Sequence, residues 1–109
     1  MRTLAFLAMI ALTGTAQAGD VTKGKSLYTA KCLACHGGTG KGDGAAARAL
    51  PTAPPDMSTA TFWADRTDED LKTVLANGTP GGVMRAFPMS DEQMADLIAY
   101  LRSLSTPAK

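Results

Sequence analysis
The sequence predicts a small all-α domain, and three observations carry that reading. No stretch alternates apolar and polar residues over five or more positions, as a half-buried strand would. Two segments open on capping patterns and continue with apolar residues at three- and four-residue spacing, the mark of helices with one buried face. The chain has 109 residues, 45% apolar and 19% charged, a globular composition that suffices for one small domain. Eleven basic against ten acidic side chains give a formal charge of +1, without the basic excess of a nucleic-acid-binding protein. Two cysteines and one histidine are too few for a structural zinc finger, which needs about four such ligands.

The first segment reads as an address. Arg2 precedes an apolar run from Leu4 to Leu12, followed by Ala16-Gln17-Ala18. A positive start, a short apolar core and a small-x-small site describe a secretory signal peptide, 1–18, cleaved after Ala18. A membrane anchor would need ~20 apolar residues. The mature domain is then expected to run from Gly19 to Lys109, in a bacterial periplasm and with no membrane insertion. Losing Arg2 brings the eleven basic residues level with the ten acidic ones.

Asp20 is an acceptable N-cap for a first helix reaching about Ala34, with Val21, Leu27, Tyr28 and Ala30 loosely periodic. From Gly37 to Asp56 the chain is rich in Gly, Ala and Pro. A short helix fits Ala45 to Leu50, and Pro51, Pro54 and Pro55 forbid a longer one. The next helix starts at Thr67, whose pairing with Asp70 resembles a capping box. It buries Leu71, Val74 and Leu75, and ends at Asn77-Gly78. The last helix has a Ser90/Gln93 capping box and a Met89/Met94 hydrophobic staple. Its apolar stripe is Met94, Leu97, Ile98, Leu101 and Leu104, with Pro107 as a stop.

A domain this small, with long Gly/Pro-rich stretches, has few side chains to form a core, so a large apolar cofactor is expected. Cys32-Leu33-Ala34-Cys35-His36 offers the attachment point. Thiols at this spacing can add to the two vinyl groups of one haem, and the next residue presents an imidazole to the iron. Three other readings compete. A thioredoxin-like redox pair wants a βαβ context. A disulfide this tight would staple almost no loop. A zinc site would lack its fourth ligand. None has the support that an exported chain gives to haem attachment.

On these residues the mature chain resembles a class I mono-haem c-type cytochrome over nearly its whole length. Gly24 and Tyr28, the Cys-x-x-Cys-His motif, the loop from Gly37 to Gly44, Met84, and Leu97-x-x-Tyr100 carry the resemblance. It implies a small cytochrome c fold: three main helices plus short helical turns wrapped around one covalently bound haem c. It further implies thioethers at Cys32 and Cys35, and His36 and Met84 as axial iron ligands. Met84 is preferred because its loop, Gly78 to Val83, is irregular and offers no helix face to pack. Met89 and Met57 remain as alternatives, whereas Met94 belongs to the stripe of the last helix. Two positions depart from the family pattern. Arg85 follows Met84 where a proline is common, and Ala45 follows Gly44 where a proline often orients the histidine. Trp63 either packs in the core or donates its indole N–H to a haem propionate. Arg85 and Arg48 are further candidates for the propionates.

A methionine and a histidine on the iron fill both axial positions, leaving one-electron exchange at the haem edge. The expectation is therefore a monomeric periplasmic electron carrier, not an enzyme, passing electrons between redox-partner proteins. Two alternatives stand beside it: a gas sensor or weak peroxidase with a labile sixth position, and a fixed haem subunit of an oxidoreductase complex.

Overall fold
The computed structural model describes residues 19–105, and the expected signal peptide and Pro107 lie outside them. Five α-helices follow in order: α1 (Val21–Lys31), α2 (Leu33–His36), α3 (Ala60–Ala64), α4 (Asp68–Asn77) and α5 (Asp91–Ser103). A 3₁₀ turn at Ala45–Ala49 lies between α2 and α3. No strand occurs among the described residues. The fold is all-helical, as the sequence predicts.

Local signals set most helix starts. The Asp20 carboxylate accepts the N–H groups of Thr22 (2.8 Å) and Lys23 (3.1 Å), satisfying two donors that the first turn of α1 leaves free. Thr67 with Asp70 and Ser90 with Gln93 both form reciprocal capping boxes. Two boundaries differ from expectation. Helix α1 stops at Lys31 rather than Ala34, because the backbone opens at Cys32 (φ −118°, ψ −30°) and α2 starts anew after it. Helix α3 is absent from the sequence reading; its five residues are too few to show a periodic stripe, and the Thr59 hydroxyl caps it.

The frame of the molecule is the crossing of α1 and α5. A Cβ on Gly24 would overlap the Asp96 carbonyl and lie 2.8 Å from Tyr100 Cβ, so only glycine permits this approach. One turn on, Tyr28 is 1% exposed and its ring meets Tyr100 at 5.2 Å between centroids, tilted by 52°. Leu97, Ile98 and Leu101 of α5 are buried with Leu71 and Leu75 of α4, completing the core on that side. Met94 is buried on the same stripe, and Met89 and Leu104 pack at its edge.

The glycine-rich loop is held against this frame. The Tyr28 hydroxyl donates to the Gly37 carbonyl, and the Met57 N–H donates to the Gly40 carbonyl (2.7 Å). Gly42 has φ +81°, and a Cβ there would overlap the Pro54 carbonyl, which explains why the loop needs glycine at that point. The chain thereby brings α2 and the Pro54–Met57 segment to one hollow.

Candidate functional site
That hollow is a cavity of about 660 Å³, within the roughly 300–1,000 Å³ of small-molecule and cofactor sites. Cys32, Cys35 and His36 line it from α2 and the residue before it; Met84 lines it from the loop after α4. Its remaining wall is mostly apolar, with Leu50, Met57, Phe62, Leu71, Leu75 and Leu101 among its members. The four residues that the motif reasoning singled out thus face one space although 48 positions separate His36 from Met84.

The chemistry of each group suits a haem. Burial lowers the pKa of His36, so the imidazole is neutral near pH 7, the form that ligates a metal. Its buried Nδ1 has no hydrogen-bond partner among the described residues. A polar atom left so needs a group to account for it. The following loop is tied to the motif through backbone: Gly42 N–H donates to the His36 carbonyl (2.9 Å) and Gly44 N–H to the Cys35 carbonyl (3.1 Å). Cys32 and Cys35 form no disulfide. Burial pushes the Cys32 thiol up to about 11, the reverse of the lowered value that a dithiol redox pair uses. No group of three or more His, Cys, Asp or Glu among the described residues could cage a metal directly.

The Met84 loop is tied down more firmly than its glycines suggest. Thr79 N–H donates to the Met84 carbonyl, and Met84 N–H donates back to Thr79 Oγ1, both at 3.0 Å. Gly82 N–H closes the turn on the Thr79 carbonyl (3.0 Å), and Phe87 N–H reaches the Leu75 carbonyl of α4 (2.7 Å). These bonds fix the backbone on both sides of Met84 without the proline that Arg85 replaces. Of the alternative ligands, Met57 lines the cavity and Met89 is not among its lining residues.

Trp63 is not among the lining residues either. Its indole N–H donates to the Met57 carbonyl (2.8 Å), so the donor that could have served a propionate has a protein acceptor here, and the ring packs edge-on against Phe62 at 4.9 Å. Arg48 is likewise absent from the lining, whereas Arg85 is present, stacked 4.8 Å from the Phe87 ring centre. The sequence reading missed Arg66, which lines the cavity with its guanidinium 3.8 Å from the Phe62 ring centre and bonded to the Phe62 carbonyl (2.6 Å). Its signal was the i, i+4 spacing to Phe62, visible only once α3 is recognised. Thr79 was also missed; a hydroxyl at the head of a Pro-Gly-Gly loop was the available sign. Lys31, Arg66 and Arg85 are the charged residues of the lining, all cationic, and none makes an ion pair among the described residues. An anionic group at the cavity mouth therefore meets no acidic side chain.

Comparison with known proteins agrees with this geometry. The pattern of the family described as Cytochrome c matches residues 21–105. The chain is 34% identical over 88% of its length to the Cbb3-type cytochrome c oxidase subunit CcoP of Azospirillum sp. (strain B510), but spans only 33% of that protein. It is 31% identical to cytochrome c-554(547) of Halothiobacillus neapolitanus, over 80% of this chain and 99% of that one. Among solved structures it resembles the KustC0563 c-type cytochrome (25% identity, TM-score 0.65, 76% of this chain and 98% of that one). It also resembles a chain of the Kuenenia stuttgartiensis reducing HAO-like protein complex Kustc0457/Kustc0458, at 25% identity and TM-score 0.67. That match covers 81% of this chain and 44% of the other.

Proposed function
The chain belongs to the cytochrome c family, whose cofactor is covalently attached haem c, and from that premise we propose that it is a one-electron carrier of the periplasm. The observation that carries the proposal is the convergence of Cys32, Cys35, His36 and Met84 on one apolar cavity. In this reading Cys32 and Cys35 would hold the haem through thioethers, and His36 and Met84 would ligate its iron. The bound haem supplies reversible one-electron exchange at its iron. The protein's part is to exclude water and to hold both axial ligands, so that no substrate reaches the metal. The thioether of Met84 and the apolar wall of Phe62, Leu71, Leu75 and Leu101 favour the ferrous state and raise the potential. Arg66 and Arg85, cations of the cavity lining with no ion pair among the described residues, would be available to the anionic propionates, a task the Trp63 N–H would share only by releasing the Met57 carbonyl.

The test is an absorption spectrum of the exported protein, oxidised, reduced, and reduced under carbon monoxide. Low-spin bands, a weak sulfur-to-iron charge-transfer band and no response to carbon monoxide are expected; Met84→Ala should lose the weak band and bind the gas. A prompt carbon monoxide shift in the unaltered protein would instead favour the sensor or peroxidase alternative. Absence of haem after expression with maturation machinery would refute both.

A second reading keeps the chemistry and fixes the chain within a larger assembly. It is favoured by the similarity to an oxidase subunit and to a chain from a multi-protein complex, each longer than this chain. Affinity purification from the native membrane and periplasmic fractions separates the two: a stoichiometric larger partner supports the subunit, and a lone 1:1 haem protein supports the carrier.

A further inference from the structure
Asp96 is a charged side chain that the electron-transfer chemistry does not use, and it is 7% exposed. Its Oδ1 accepts the N–H of Asp20 at 2.8 Å, and no other hydrogen bond reaches that carboxylate among the described residues. A buried carboxylate with one neutral donor is poorly compensated, since such groups are normally paired with a charge. No lysine or arginine among the described residues forms an ion pair with it. The charged groups of the helices packed around it are otherwise engaged or point to solvent. On α1, Lys23, Lys25 and Lys31 are exposed, and the carboxylate of its N-cap Asp20, the residue after Gly19, is engaged by the N–H groups of Thr22 and Lys23. On α4, Lys72 pairs with Glu69 and Asp68 with Arg102, while Asp70 closes its capping box; on α5, Asp91 and Glu92 are exposed.

Gly19 lies next to this carboxylate. A Cβ at Gly19 would overlap the Ala95 carbonyl and come 2.5 Å from the Asp96 backbone nitrogen, so the residue is seated on α5 as closely as Gly24 is. Consecutive backbone nitrogens are about 3.6 Å apart at most, so with the 2.8 Å Asp20 bond the Gly19 nitrogen is at most about 6.4 Å from Asp96 Oδ1, and any bend in the chain brings it closer. That nitrogen is an uncharged amide in the precursor. It becomes an α-ammonium if the chain is cut after Ala18.

We propose that Asp96 is the receptor for the α-ammonium group created at Gly19 by signal-peptide removal, so that export processing completes the α1–α5 crossing with a charge pair. The proposal rests on the reading of the chain as an exported cytochrome. Cutting the Ala18–Gly19 peptide bond by water leaves a carboxylate on the departing peptide and the amine on Gly19, which takes up a proton. The positive pole of α1 disfavours an ammonium at this end, so an α-amine without Asp96 would titrate at or below its ordinary value. An opposite charge within about 4–6 Å raises it instead.

The test uses the exported, haem-loaded protein. Intact mass first reports where the chain begins and whether one haem is attached. The Gly19 α-amino group is then titrated through its Cα and Hα shifts in the wild type, in Asp96→Asn, and in a variant with one glycine inserted between Ala18 and Gly19. Asn keeps the acceptor oxygen for Asp20 N–H and removes the charge; the insertion keeps Asp96 and moves the ammonium away. The expected wild-type midpoint lies about one pH unit above the ordinary ~7.7–8.0, with both variants at or below that value. The denaturant midpoint of the wild type should also fall between about pH 8 and pH 10, the range in which the raised amine loses its proton, and stay flat in Asp96→Asn. Equal titration in wild type and Asp96→Asn overturns the proposal, as does a mature chain that begins elsewhere. A chain that begins at Gly19 without haem counts against the carrier reading, and a wild-type midpoint above that of Asp96→Asn in that chain shows that the charge pair forms without the cofactor.

Discussion

Tyr28 shows how one side chain joins the frame to the site. Its ring fills the α1–α5 crossing and its hydroxyl reaches the Gly37 carbonyl at the start of the glycine loop, directly after His36. Burial pushes the hydroxyl up to about 12, with the neighbouring Cys32 a lesser cause. A folded value above the unfolded ~10 means that the contribution is complete below pH 10 and is lost as pH rises from 10 towards 12. Tyr28→Phe should therefore lower stability near neutrality by about 1–3 kcal/mol, for the carbonyl left without its donor. It should also flatten the decline above pH 10; an unchanged alkaline slope would show that Tyr28 does not cause it. Thr79 is the second residue on which the site depends. Replacing Thr79 by Val removes the acceptor for Met84 N–H, at about 1 kcal/mol. If that cost falls on the closed loop, carbon monoxide or imidazole should compete for the sixth position about fivefold better, with Thr79→Ser near wild type. Equal ligand affinity in Thr79→Val would mean that the other loop bonds hold Met84 alone.

At the scale of elements, glycine at the crossing makes a prediction whose sign separates packing from propensity. In a free helix Gly→Ala is stabilising by about 1 kcal/mol. At Gly24 the added methyl meets the Asp96 carbonyl, so Gly24→Ala should instead destabilise by about 1–3 kcal/mol. Ser90→Ala, which only removes a cap from α5, should cost about 1 kcal/mol. Chemical denaturation of both variants checks the order. The same contrast explains what was legible in the sequence. Capping boxes are local, so the starts of α4 and α5 at Thr67 and Ser90 could be read directly, and the stripe from Met94 to Leu101 gave the buried face. The motif of Cys32, Cys35 and His36 was legible because its spacing is itself the chemistry. What escaped was tertiary. The break at Cys32 has no breaker residue, and α3 is shorter than any periodic pattern. Trp63 finds its acceptor on Met57, in the segment that also bonds Gly40, a pairing that sequence order does not announce. The Thr79–Met84 clamp depends on a turn whose shape Gly81 and Gly82 permit but do not specify.

For the whole molecule the governing fact is that its core has a hole in it. Met57, Phe62, Leu71, Leu75 and Leu101 belong to the buried cluster, and the same five residues line the cavity. The hydrophobic core and the cofactor wall are thus one surface. Helices α1, α4 and α5 each present part of that wall, so a haem held there would be the centre of the core rather than a guest beside it. An empty space of about 660 Å³ would cost on the order of 15 kcal/mol at roughly 24 cal/mol per Å³ of void. The cavity is open and water can enter, which lowers that figure. Even a third of it, about 5 kcal/mol, is as large as the whole stability of many small domains. A chain with Cys32→Ser and Cys35→Ser, purified without haem, should therefore show no cooperative melt and much reduced helix content at 25 °C. Acid should shrink the residual helical fraction further below about pH 6.5, because the unfolded imidazole takes up a proton that buried His36 resists. Adding haem to the same chain should restore helicity and a sharp transition through axial ligation alone. Circular dichroism with and without haem measures all three. A haem-free chain that melts cooperatively at full helicity would show that the α1–α5 crossing and its caps suffice, and that the cavity is a preformed pocket rather than an unfinished core.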